Sequence, residues 1–208
     1  LGQRFYLQGF YREEEVNYQG FPYRVTGGYE FRNSQHNTAL SGMKALFDAK
    51  LSDTWGLMYG VDVDRERYDS SQMYFNKAVT DATGSLVQQE ARVGPRYPGF
   101  QVDSFAAYIQ ATWQATEALR LLGGVRRQQT KLEIGDFQGV PGGNNDYAST
   151  LGNLSALYDY RNGHNNWLRY SQGVEVPDPA KYYGRAGVTV ADNPLSAIAT
   201  DQVELGWR

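Results

Sequence analysis

The sequence has no cysteine, which excludes a disulfide framework, a thiolate metal site and a cysteine nucleophile. Histidine is scarce. His36 lies in a long connection and His164 in a short turn on the opposite side, so the two cannot share a metal. An excess of positive charge is also missing: the formal net charge of -3 gives no global basic field for nucleic acid. No apolar run approaches the ~20 residues a transmembrane helix needs, and no N-terminal signal peptide is evident. HExxH, GxSxG and P-loop motifs are lacking. The glycine-rich stretches GGVRRQ and PGGNN open no helix, so neither makes a phosphate cradle. These absences argue against an enzyme and against a resident cofactor.

What is present is aromatic and alternating. The chain carries 16 tyrosines, 4 tryptophans and 23 glycines, and its mean hydropathy is polar at -0.59. A polar average does not exclude a membrane, because transmembrane β-strands alternate apolar and polar residues. Leu57, Tyr59, Val61 and Val63 alternate with Met58, Gly60, Asp62, Asp64 and Glu66. Phe105, Ala107, Ile109, Ala111 and Trp113 form another such face, as do Val203, Leu205 and Trp207. About eight strands follow, near 3–12, 37–51, 55–68, 103–114, 118–131, 147–160, 165–175 and 199–208. Short connections fall near Ser52–Thr54, Ala115–Glu117 and Arg161–His164, and long ones near 13–36, 69–102, 132–146 and 176–198. In an up-and-down meander this strict alternation puts all short turns at one end and all long loops at the other, as in outer-membrane barrels. A soluble β-sandwich is the rival, but its strands are shorter, typically about 5–6 residues.

The stretches YSQGVEVPDPAKYYG and NPLSAIATDQVELGWR resemble the barrel of TonB-dependent siderophore receptors, most closely the subgroup that takes hydroxamate–citrate chelates of the aerobactin and rhizobactin type. FYREEEVNYQGFPY, SQMYFN, GPRYPGFQVDSFAAYIQ, LLGGVRRQQTKLEIGDF and PGGNNDY fit the same subgroup in order along nearly the whole chain. The resemblance implies an all-β, antiparallel, transmembrane barrel of about 22 strands whose lumen is plugged. These residues would supply about eight of those strands, as an internal segment without the plug domain or the TonB-contacting box. A complete eight-stranded barrel is the alternative. Its narrow, packed interior would have to hold Asp62, Asp64, Glu66, Arg120 and Arg126, which a wide watery lumen hosts more easily.

The implied function is uptake of a ferric siderophore across the outer membrane of a Gram-negative bacterium. Its partners are the chelate, the chain's own plug, TonB and outer-membrane lipid, with no nucleic acid. Iron arrives already wrapped by the siderophore, so the protein needs no metal ligands. A passive channel or a small adhesin is the competing reading. Capture of a bulky anionic chelate calls for cations and for aromatic side chains with hydrogen-bonding tips. Lys181, Tyr182, Tyr183 and Arg185 fit that need, as do Arg96 and Tyr97, with Tyr74 and Asn76 at the start of the same long connection. The alternative for Tyr182 and Tyr183 is an aromatic girdle at the membrane interface, and for Arg96 and Arg185 loop–loop ion pairs. Trp55 and Trp113, beside short turns, read as the girdle of the opposite interface.

Overall fold

The computed structural model describes residues 2–161, 163–183, 189–192 and 195–208. In chain order the elements are β1 (Gln3–Val25), β2 (Gly28–Lys50), β3 (Trp55–Phe75), α1 (Lys77–Ala82), β4 (Glu90–Gly94), β5 (Phe100–Gln114), β6 (Leu119–Ile134), β7 (Gly143–Arg161), β8 (His164–Glu175), a 3-10 turn (Pro179–Tyr183) and β9 (Ile198–Trp207). One antiparallel sheet runs β1-β2-β3-β5-β6-β7-β8-β9, and β4 pairs with the far end of β3. The expected meander is therefore present, with nine strands where about eight are expected.

The long connections need correcting more than the strands do. Segment 13–36 is not a loop. β1 and β2 are each 23 residues long and stay paired from Gln3↔Ala49 to Val25↔Gly28, so they rise as a tall ribbon, and His36 lies in β2. The physical reason is that the upper part of this ribbon carries polar residues on both faces, so no apolar alternation marks it as strand. Its residues, including Glu13, Glu14, Glu15 and Asn17, need not alternate in polarity to stay in a strand. Segment 69–102 holds the end of β3, the short helix α1 and β4. Segment 132–146 shrinks to 135–142 between β6 and β7.

The register makes the two faces of the sheet explicit. On one face Phe5, Phe47, Tyr59, Ile109 and Val125 lie side by side on five strands. All five are exposed although apolar. Toward the short turns the same face carries Trp55 and Trp113, paired and stacked at 5.4 Å between ring centroids. Between Trp55 and Val63 this face spans about 27 Å along the strand at ~3.4 Å per residue. With the tilt usual in barrels that fits an apolar band about 25 Å tall, bounded by aromatic residues. Beyond Val63 the face turns polar, with Arg65 paired to Asp103 and Lys131 to Glu133. Val61 and Leu121 share the parity of Ile109, as expected.

The opposite face mixes polar side chains with aromatic and aliphatic ones. Asp62 accepts from Arg126 Nη1 at 2.8 Å, and Asp64 and Glu66 share its parity. Aromatic rings lie against this wall over glycines. A Cβ at Gly42 would come within 2.5 Å of Phe10 Cζ, and one at Gly60 within 2.6 Å of the Tyr108 hydroxyl. Near the long-connection end of β5–β7, the wall is covered by the described parts of the connection between β8 and β9. Leu132, Ile134, Tyr182 and Val190 are buried together there, with Phe100, Val102, Tyr147 and Leu195 packed around them.

Candidate functional site

Above the apolar band, the polar face of β1, β2 and β3 gathers rings and cations. A β-bulge decides which ones. Tyr18 pairs with Ser34, but Phe21 pairs with Arg32, so β1 holds one extra residue between them. Facing alternates along a strand, and the extra residue inverts it. Beyond the bulge Phe21 and Tyr23 therefore share the polar face with Tyr18, His36 and Arg32. Gly20 supplies the positive φ of 59° that the bulge needs, and its N–H donates to Asn33 Oδ1 at 2.7 Å.

Arg96 enters this face from the connection between β4 and β5. Its segment is pinned by Tyr97: the Tyr97 N–H donates to Ser70 Oγ at 2.9 Å, and Ser70 donates back to the Tyr97 carbonyl at 3.2 Å. The Arg96 guanidinium donates through Nη1 to His36 Nε2 at 2.8 Å and through Nη2 to the Tyr23 hydroxyl at 2.9 Å. It lies 5.2 Å from the ring centroid of Tyr97 and 5.8 Å from that of Tyr18. Among the described residues no carboxylate lies within ion-pairing distance of it. A half-buried guanidinium held only by neutral partners keeps its charge available to an incoming anion.

A second stack adjoins the first. Arg32 lies 4.3 Å from the Tyr23 ring centroid and 4.8 Å from that of Tyr74, and it donates to Glu30 Oε2 through Nε at 3.0 Å and Nη2 at 2.7 Å. Arg92 on β4 also lies over the Tyr74 ring, at 3.6 Å. In the same part of the sheet the buried Gln72 donates to Ser34 Oγ at 3.0 Å, tying β3 to β2. Cations held by ring faces stay extended into the site at little entropic cost, because planar groups lock one another.

The sequence-based candidates divide accordingly. Arg96, Tyr97 and Tyr74 belong to this constellation. Asn76 serves the fold instead. Its Oδ1 caps α1, accepting from Ala78 N at 3.1 Å and Val79 N at 3.4 Å. Lys181 is exposed on the 3-10 turn that belongs to the β8–β9 connection, not to β1–β3 or the β4–β5 connection that build the cluster. Tyr182 is neither a free contact nor a girdle residue. It is fully buried against Leu132 and Ile134, and its hydroxyl meets that of Tyr147. Burial, and then the hydrogen bond to Tyr147, push the Tyr182 phenol above its ordinary value and keep it protonated. Arg185 and the side chain of Tyr183 lie outside the described residues. Sequence reasoning did not single out Tyr18, Tyr23, Arg32 or His36. The one local signal was Gly20, an isolated glycine inside an aromatic run, which suits a bulge.

The family model described as "TonB dependent receptor-like, beta-barrel" matches residues 1–208. The chain is 34% identical over 244 residues to the ferric aerobactin receptor of Klebsiella pneumoniae, covering 100% of this chain and 33% of that protein. It is 32% identical to the rhizobactin receptor of Rhizobium meliloti (strain 1021), covering 100% of this chain and 32% of the relative. The chain thus spans about a third of the length of the curated relatives it matches. Among solved structures it superposes on the copper transporter OprC with a TM-score of 0.76 at 18% identity, covering 98% of this chain and 32% of the other. On the ferric citrate transporter FecA in the unliganded form the TM-score is 0.72 at 14% identity, covering 99% and 29%.

Proposed function

The chain belongs to the TonB-dependent receptor-like β-barrel family, and from that premise we propose that it forms part of the barrel wall of an outer-membrane receptor for a ferric siderophore. The exposed apolar band is the lipid face, and the polar face lines the lumen. The Arg96 cluster then lies on the lumenal side, well above the band on the side of the long connections, where a ligand arrives from outside the cell. The site suits a hydroxamate–citrate chelate such as ferric aerobactin, the ligand for which one relative is named. A citrate-type carboxylate docks on Arg96 while Tyr18, Tyr23 and Tyr97 give flat contact area and hydroxyl groups. Iron is cargo here and brings its own oxygen ligands. The plug domain and TonB supply the transport step.

One observation carries this reading: Arg96 is held by Tyr23 and His36, and among the described residues no carboxylate neutralises its charge. The test is a fluorescence-quench titration of the intact receptor with ferric aerobactin and with a ferric tris-catecholate. Arg96→Ala should weaken binding of ferric aerobactin by about 1.5–3 kcal/mol, tenfold or more. Lys181→Ala should cost less than about 1 kcal/mol, since a charge in water contributes little. Unchanged affinity in a folded Arg96→Ala receptor would refute the assignment.

A further inference from the structure

His36 stands at the centre of the Arg96 cluster, and holding the arginine does not by itself call for a side chain that titrates. Guanidinium nitrogens only donate, so the 2.8 Å contact from Arg96 Nη1 requires the lone pair of His36 to sit on Nε2. The ring proton is then on Nδ1, which faces the Tyr68 hydroxyl at 2.6 Å. The groups around the imidazole come from three directions. They are Tyr18 on β1, Tyr68 and Ser70 on β3, and Arg96 with Tyr97 on the connection into β5, while Tyr23 reaches it through Arg96. Arg96 is the one charge among these named neighbours.

This arrangement makes the imidazole responsive to what binds beside it. In the empty site, a proton on Nε2 would set N–H against N–H beside a full positive charge. Burial, and then the Arg96 charge, accordingly hold His36 below its ordinary value. A carboxylate on Arg96 opposes the second of these. It cancels the repulsion, and it offers an oxygen that accepts from the guanidinium and from a protonated Nε2 together.

Building on the siderophore-receptor reading, we propose that His36 is a positioning residue whose protonation is coupled to anion capture. Neutral, it holds Arg96 in place. When a carboxylate of the chelate docks on Arg96, Nε2 takes up a proton from the solvent and keeps it, its N–H donating a hydrogen bond to the same anion. The sign follows from linkage. The complex holds His36 at a higher pKa than the empty receptor does, so binding takes up a proton and affinity rises as pH falls. The gain begins at the raised value in the complex and levels off at the depressed value in the empty receptor, across the range where histidine ordinarily titrates.

The experiment titrates the intact receptor with ferric aerobactin from about pH 8 to about pH 5.5, in wild type, His36→Gln and His36→Phe. Protonation of the chelate itself is common to all three, so the ratio of wild-type to variant affinity is the readout. Gln keeps an acceptor for Arg96 but cannot titrate, whereas Phe keeps neither property. The wild-type to His36→Gln ratio should grow toward acid pH, about tenfold for each unit by which binding raises His36. At pH 8, His36→Gln should bind more tightly than His36→Phe. Folding is checked by outer-membrane yield and β-sheet circular dichroism. Parallel pH profiles for wild type and His36→Gln, in receptors that bind, overturn this proposal alone. Failure of the wild type to bind ferric aerobactin at any pH overturns the receptor reading, and the His36 proposal with it.

Discussion

The same strands carry two kinds of structure, and the change comes at the level of Val63 and Phe105. Below it, outward rows are mostly apolar from strand to strand: Phe5, Phe47, Tyr59, Ile109 and Val125 lie in one row and Trp55 and Trp113 in the row nearest the turns, while the row of Val61 and Ala107 ends in Arg127 on β6. Above it, neighbours are unlike, and the decisive contacts join distant parts of the chain, as Tyr23 and Arg96 are joined across 73 positions. In the lower part a uniform surrounding selects each side chain singly, so almost any apolar residue serves. In the upper part a specific partner selects it, and the meaning of a residue depends on another strand. The lower part is therefore tolerant in identity but strict in polarity, and the upper part is the reverse.

The largest test of this contrast falls on the lower part. Ile109→Arg, exposed midway through the band, should impair assembly by roughly 2–4 kcal/mol. Gln110→Arg, one residue on and on the polar face, should be mild. Outer-membrane levels of the two variants are the measurement, and equal losses would dissolve the distinction between the faces.

Next in size is the hydroxyl that the bulge delivers to Arg96. Tyr23→Phe keeps the ring but removes the acceptor for Arg96 Nη2, so ferric aerobactin should bind more weakly by about 1.5–3 kcal/mol. Assembly should be near normal because no lower row changes. Titration together with yield separates the two. A variant that lowers yield as much as Ile109→Arg would mean the upper ribbon also governs insertion.

The smallest expected effect belongs to Tyr182→Phe. It keeps the buried ring and loses the hydroxyl contact with Tyr147, which should lower the stability of the covering segment by about 0.5–1.5 kcal/mol. Local hydrogen exchange in residues 176–183 reads this. An affinity loss without a loss of protection would return Tyr182 to the ligand.

How much of this was legible in the sequence follows from the same contrast. Alternation in 57–66, 103–113 and 202–208 reported the all-β class, the meander and the facing of Val61, Phe105 and Ile109, because two faces of different polarity imprint a period of two. The height of the β1–β2 ribbon left no such imprint, since its upper part is polar on both faces, with Glu13, Glu15 and Asn17 on one and Glu14 and His36 on the other. Helix α1 is too short for a helical period to appear, and only its cap, Asn76, is a signal. Arg96 and Tyr97 could be found as a cation beside an aromatic residue on a long connection. Tyr18, Tyr23 and His36 could not, because their convergence depends on a bulge and on strand register. The PDPAKYY stretch was rightly singled out as unusual, but its direction was misread. Tyr182 turns inward onto Leu132 and Ile134, and Lys181 is left in water.

The bulge at Gln19–Gly20 also works as slack in the ribbon. Below it the register of β1 is held by the ladder from Gln3↔Ala49 to Tyr18↔Ser34, and above it by the pairs that run down from the turn at Thr26–Gly27. A residue lost between Tyr18 and Phe21 is absorbed where it falls: without Gly20 the strand alternates regularly, Phe21 still opposes Arg32 and Tyr23 still opposes Glu30. A change of length at this one point therefore leaves the aim of every side chain beyond it intact, which makes the bulge the seam at which the ribbon can lose a residue without being rewritten.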